Sequence, residues 1–151
     1  MRLAVALVFA IPCLVLGMPT SSGQAGDMVD MREPVFRTEA EKAFVLDQMR
    51  LLLNSISEIE EGLGSGDMDL VSREAAARGR KANVTLPRPP LLAAKETEAW
   101  KSMFISVRTG FDAIADQAKE HAPAATINKM LADTMRNCNS CHQTYRIVEA
   151  Q

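Results

Sequence analysis

Aromatic residues make up only 5% of the 151: a single Trp, a single Tyr and five Phe. A chain of this length can bury a core. One built from small aliphatic residues with few rings needs something further to fill its interior. Basic clusters are missing as well. Lys and Arg number 17 against 19 Asp and Glu, a formal charge of −2, and no positive stripe of the kind that grips nucleic acid is present. No segment alternates apolar and polar residues over a useful length, and no internal repeat is visible, so strands are not expected.

What is present begins with a leader. Arg2 precedes an uncharged apolar run from Leu3 to Ile11, followed by Pro12, Cys13, Leu14 to Gly17, and a small polar stretch from Thr20 to Gly26. That order is the layout of a secretory signal peptide, with cleavage expected after Ala25 or, earlier, near Gly17. The run is short and broken by Pro12, which disfavours a permanent membrane span. Cys13 lacks a lipoprotein acylation context and leaves with the leader. Residues 1–25 are therefore assigned as signal peptide, 26–37 as an extended lead-in containing Pro34, and 38–151 as one domain of a periplasmic protein. Of the three cysteines, only Cys138 and Cys141 then remain, in a compartment that oxidises neighbouring thiols left unused.

Four helices are expected after the lead-in. Thr38 with Glu41 has capping-box spacing, and Val45, Met49, Leu52, Ile56, Ile59 and Leu63 then recur at fours and threes, one face of a long helix. Gly62, Gly64 and Gly66 end it. Asp67 or Asp69 caps a second, alanine-rich helix running to about Ala82. Pro87, Pro89 and Pro90 interrupt the chain as a crossover. The third helix is expected from Leu92 or Ala93 to about His121, with Trp100, Met103, Phe104, Val107, Phe111, Ile114 and Ala118 on its buried stripe. In the fourth, from Ala124, Ile127, Met130, Leu131, Thr134, Cys138, Cys141 and Tyr145 share the inward face. Short connections and one apolar stripe per helix predict an all-α antiparallel four-helix bundle.

Cys138-Asn139-Ser140-Cys141-His142 is a C-x-x-C-H sequence, the pattern of c-type haem attachment. Two thiols three positions apart on a helix point to the same side, so each can add across one porphyrin vinyl group to form a thioether. The next imidazole then projects toward the iron as an axial ligand. Three plainer readings compete. A thioredoxin-like pair needs a strand before it and a helix after it, and no strand is visible. Zinc needs four ligands, and the only other histidine is His121. A structural disulfide with an incidental His142 is the third. One covalently attached haem c is the cofactor expected here, held by Cys138, Cys141 and His142.

The motif lies close to the C-terminus, and Tyr145-Arg146 follows it, an aromatic and then a basic residue. This resembles the cytochrome c′ and cytochrome c-556 family, whose last helix carries C-x-x-C-H in this way. Lys95-Glu96-Thr97-Glu98-Ala99-Trp100 is similar to that family's Lys-Pro-Glu-x-Trp opening of the third helix, without the proline. The resemblance implies that a first-helix residue faces the sixth iron position. A methionine there makes a low-spin electron carrier; an aliphatic residue leaves the position to small gases such as NO and CO. Met49 is the candidate ligand, and Val45, Leu52 and Leu53 are the alternatives one turn or less away. Met103 and Met130 are further alternatives, expected to pack elsewhere. Arg146, four after His142, is expected one turn along the same helix, beside the imidazole or at a haem propionate. Tyr145, Trp100 and Phe104 are read as packing, Arg50 as solvated, and His121 as a helix C-terminal residue. The function implied is single-electron transfer between periplasmic redox partner proteins, without enzymatic chemistry. Gas binding at a five-coordinate haem and a haem-free exported protein with a disulfide are the alternatives. A homodimer through the first two helices is compatible with the resemblance.

Overall fold

In a computed structural model, which describes residues 29–84 and 86–150, the chain is mostly helical with one small sheet. The signal peptide assigned to residues 1–25, with Cys13, lies outside the described residues. Strand β1 spans Glu33–Arg37 and helix α1 Glu39–Ser65. Thr38 opens α1 with both halves of a capping box: the Glu41 amide donates to its hydroxyl at 3.3 Å, and the Glu41 carboxylate accepts from the Thr38 amide at 2.9 Å. Two amides that the helix start leaves without partners are thereby satisfied. Gly66 closes the helix in the left-handed region, φ 78, where other residues are strained.

Helix α2, Met68–Arg78, starts at an Asp67 cap that accepts from the Leu70 amide at 2.9 Å. It does not run on to Ala82 as expected. The chain turns at Gly79, the Arg80 amide donates to the Asp112 carboxylate at 3.0 Å, and a short helix α3 follows over Arg80–Val84. Here a side-chain acceptor from a later helix outcompetes helical propensity. The third expected helix also begins later. Ala93–Lys95 form one 3-10 turn, and α4 runs Glu98–Lys119 from a Thr97 cap that accepts from the Trp100 amide at 3.2 Å. His121, at φ 53, lies just beyond its end. Helix α5, Ala124–Thr144, completes the helical set.

The third correction is the sheet. Strand β2, Tyr145–Glu149, pairs in parallel with β1, Glu33 opposite Tyr145 and Arg37 opposite Glu149. Five residues per strand are too few for an alternating pattern to stand out. The pairing is also long-range, so nothing local announces it.

Ile59, Val71, Ala75, Phe111, Ile114, Ala118, Ile127 and Leu131 from α1, α2, α4 and α5 form one buried cluster. Fully burying each larger side chain contributes about 1.5–3 kcal/mol. Met49, Ile56, Met130 and Cys138 pack against the cluster and are partly buried. The α4–α5 contact is close: a methyl added at Gly110 would overlap the Thr134 side chain. Ser72 ties α2 to α4, its hydroxyl donating to the Ala115 carbonyl at 3.1 Å. No described helix is long and apolar enough to cross a membrane.

Candidate functional site

The last two turns of α5 carry Cys138 and Cys141 on one face, half-buried, with His142 next and exposed. Cys138 and Cys141 are free thiols. Burial pushes both above the ordinary thiol range, and for Cys141 the neighbouring Cys138 adds to the shift. They therefore stand as neutral thiols at neutral pH, without the electropositive surroundings of a redox-active thiolate. The Cys138 sulfur lies 3.7 Å from the Thr134 carbonyl.

Opposite these three residues, α1 contributes Met49 and Leu52, and α4 contributes Met103, Phe104 and Val107; all eight line one apolar pocket. Met49 and the C-x-x-C-H residues, 89 positions apart between Met49 and Cys138, thus line the same pocket. Leu52, one of its alternatives, shares the wall. Leu53 does not: it is 66% exposed. Val45 is buried but does not line the pocket. Met103 was expected to pack elsewhere, yet it lines the same pocket, one turn before Val107 on the α4 stripe. The pocket therefore offers two thioethers.

Arg146 requires correction. Helix α5 ends at Thr144 because Tyr145 is extended, φ −118 and ψ 147, and its ring meets Trp100 edge to face at 5.2 Å. Arg146 is therefore on β2, not one helical turn beyond His142. Its Nε donates to the Arg32 carbonyl at 3.2 Å, and it does not line the pocket. Arg32 also donates to the His142 carbonyl, at 3.1 Å, so this residue, just before β1, links the end of α5 to β2. Arg50 and His121 are exposed. Tyr145 and Trp100 are buried away from the pocket, as packing residues. Two buried arginines have no counterpart in the sequence reading: Arg37 and Arg108, 2% and 3% exposed.

A c-type haem can be tested against this donor set. Two thiols three apart, an imidazole directly after them and a thioether across the pocket are the atoms that such a group needs. The free space in this half-open pocket is about 30 Å³, on the order of one water, so a porphyrin is accommodated only if α1 and α4 draw back from the end of α5. The donor chemistry fits, and the walls must open. A bare metal ion is less well served, because among the described residues no three His, Cys, Asp or Glu side chains cluster to hold one. Compared with known protein families, curated proteins and solved structures, the chain matches none.

Proposed function

We propose that this protein is a periplasmic monohaem c-type cytochrome of the c′/c-556 type, an antiparallel four-helix bundle that passes single electrons between protein partners. The observation that carries this reading is the meeting of Met49 from α1 with Cys138, Cys141 and His142 from α5 on one apolar pocket. Cys138 and Cys141 would hold the haem through thioethers, and His142 and Met49 would supply the protein ligands to its iron. When bound, the haem supplies a reversible one-electron couple. The chain's own part is to fix the ligands and exclude water. Leu52, Met103, Phe104 and Val107 give the pocket an apolar lining, which with thioether ligation favours a raised potential.

Leu52 on the same wall supports a competing reading, in which an aliphatic side chain covers the sixth position and small gases bind there. The absorption spectrum of the chain matured with haem-attachment machinery, with and without carbon monoxide, separates the two. A low-spin reduced spectrum indifferent to carbon monoxide is the expected result. A high-spin spectrum that shifts with carbon monoxide overturns electron transfer in favour of gas binding. Absence of covalently retained haem after denaturation overturns both.

A further inference from the structure

Phe104 separates the thiol-lined pocket from a second recess of about 320 Å³, whose lining includes Arg80, Arg88, Glu96, Lys101 and Arg108. Its chemistry is opposite to that of its neighbour. Arg108 is 3% exposed, and its guanidinium lies 4.9 Å from the centre of the Phe104 ring. Two of its nitrogens are anchored, Nη1 on the Arg78 carbonyl at 2.8 Å and Nη2 on the Gln48 side chain at 3.3 Å, while Nε has no partner. Among the described residues no carboxylate pairs with it. Burial, and then the charges of Arg78 and Arg88, push its pKa down to about 10.

A buried cation is ordinarily paired. Here further cations surround it instead. Among the described residues neither the Arg80 nor the Arg88 guanidinium forms an ion pair. Lys101 pairs with Glu98 at 2.8 Å, and Glu96 is the one carboxylate in the lining. Glu98 and Glu96 thus offset Lys101, and Asp112 accepts from the Arg80 amide, so among the described residues the Arg88 and Arg108 guanidinium groups are the ones left without a carboxylate. An arriving anion would relieve the repulsion and find planar guanidinium donors suited to two-oxygen contacts.

We infer that the recess bounded by Arg80, Arg88, Lys101 and Arg108 is a binding site for a carboxylate or phosphate group. Two sources offer that chemistry: a free anion, or the carboxylates of a haem seated across Phe104. The second rests on the function proposed above; the first does not.

The test titrates pyrophosphate by calorimetry into the full chain, once haem-bearing and once made without haem, each as wild type and as Arg88→Gln. Saturable binding to the haem-bearing chain, weakened about tenfold or more by Arg88→Gln, the loss of one charge-assisted contact, marks a free-anion site. Binding only to the haem-free chain, with the same dependence on Arg88, marks a recess held by the haem carboxylates. Binding to neither, or binding that Arg88→Gln leaves unchanged, overturns the inference. If the haem-free chain lacks helical circular dichroism, the ¹³C resonances of the haem carboxylates in the loaded chain replace that arm. They shift with Arg88→Gln if the recess holds them, and unmoved resonances overturn the inference. If no haem attaches at all, the haem-free titration still decides the recess, so the two readings fail separately.

Discussion

Two methionines line the pocket, so exchanging each for leucine tests the proposed iron ligand. Met-to-Leu conserves volume, and such swaps in a core cost under about 1.5 kcal/mol. Met49 is partly buried at the edge of the cluster, which places its cost toward the lower part of that range. The effect on ligation is of another order, because leucine has no atom to offer the iron. Met49→Leu is expected to convert a low-spin haem to high-spin, to open it to carbon monoxide and to lower its reduction potential, with a denaturation midpoint close to wild type. Met103→Leu is expected to leave the spin state unchanged. The assay is the visible spectrum of both oxidation states, with urea unfolding as the control for packing. A low-spin spectrum retained in Met49→Leu refutes the assignment. Loss of the low-spin spectrum in Met103→Leu alone moves the ligand to α4.

Gly110→Ala should overpack the α4–α5 contact, since the new methyl meets Thr134; the expected cost is about 1–3 kcal/mol. In a Thr134→Ala background that cost should shrink, and an equal cost in both backgrounds rules out the steric cause. The Lys95 ammonium, hydrogen-bonded to Glu41 at 2.8 Å, holds the Glu41 carboxyl below the usual carboxylate range, helped by the Thr38 amide. A folded-state pKa below the unfolded one gives stability that is present above the unfolded value and lost as pH falls through the folded one. Thermal melts between pH 7 and pH 3 should therefore show a smaller acid-induced fall in Lys95→Met than in wild type; identical falls would count against the pair. In the haem-free chain, alkylation of Cys138 and Cys141 by iodoacetamide should reach half its maximal rate at a higher pH than in the urea-unfolded chain. Equal midpoints would deny the effect of burial on these thiols.

The helices were legible because their signals are local. Thr38 and Glu41 announce a cap three residues apart, and the expected stripe of α1 contains the buried Val45, Leu52, Ile59 and Leu63. Periodicity erred where a distant group competed with it. Nothing near Gly79 shows that Asp112, on another helix, captures the Arg80 amide. The α5 stripe continues through Tyr145 in the sequence, yet Tyr145 leaves the helix for Trp100 and the β1 pairing. That single departure moved Arg146 from the helix face to the strand.

C-x-x-C-H was legible locally, within one turn and a half, whereas Met49 was nominated by the family resemblance together with its place on the first-helix stripe. The charged wall beyond Phe104 was not legible. Arg108 follows Val107 on a helix whose apolar residues already account for its buried face, so a hydrophobic pattern assigns an arginine there to solvent. Its burial depends on two acceptors, the Arg78 carbonyl and the Gln48 amide, supplied by α2 and α1. Patterning tells which side of a helix turns inward; it does not tell that the inward rim meets a polar partner. A buried arginine without a carboxylate is visible only once neighbouring helices are in place, and there it is informative, because packing alone gives no reason to hold a cation among cations.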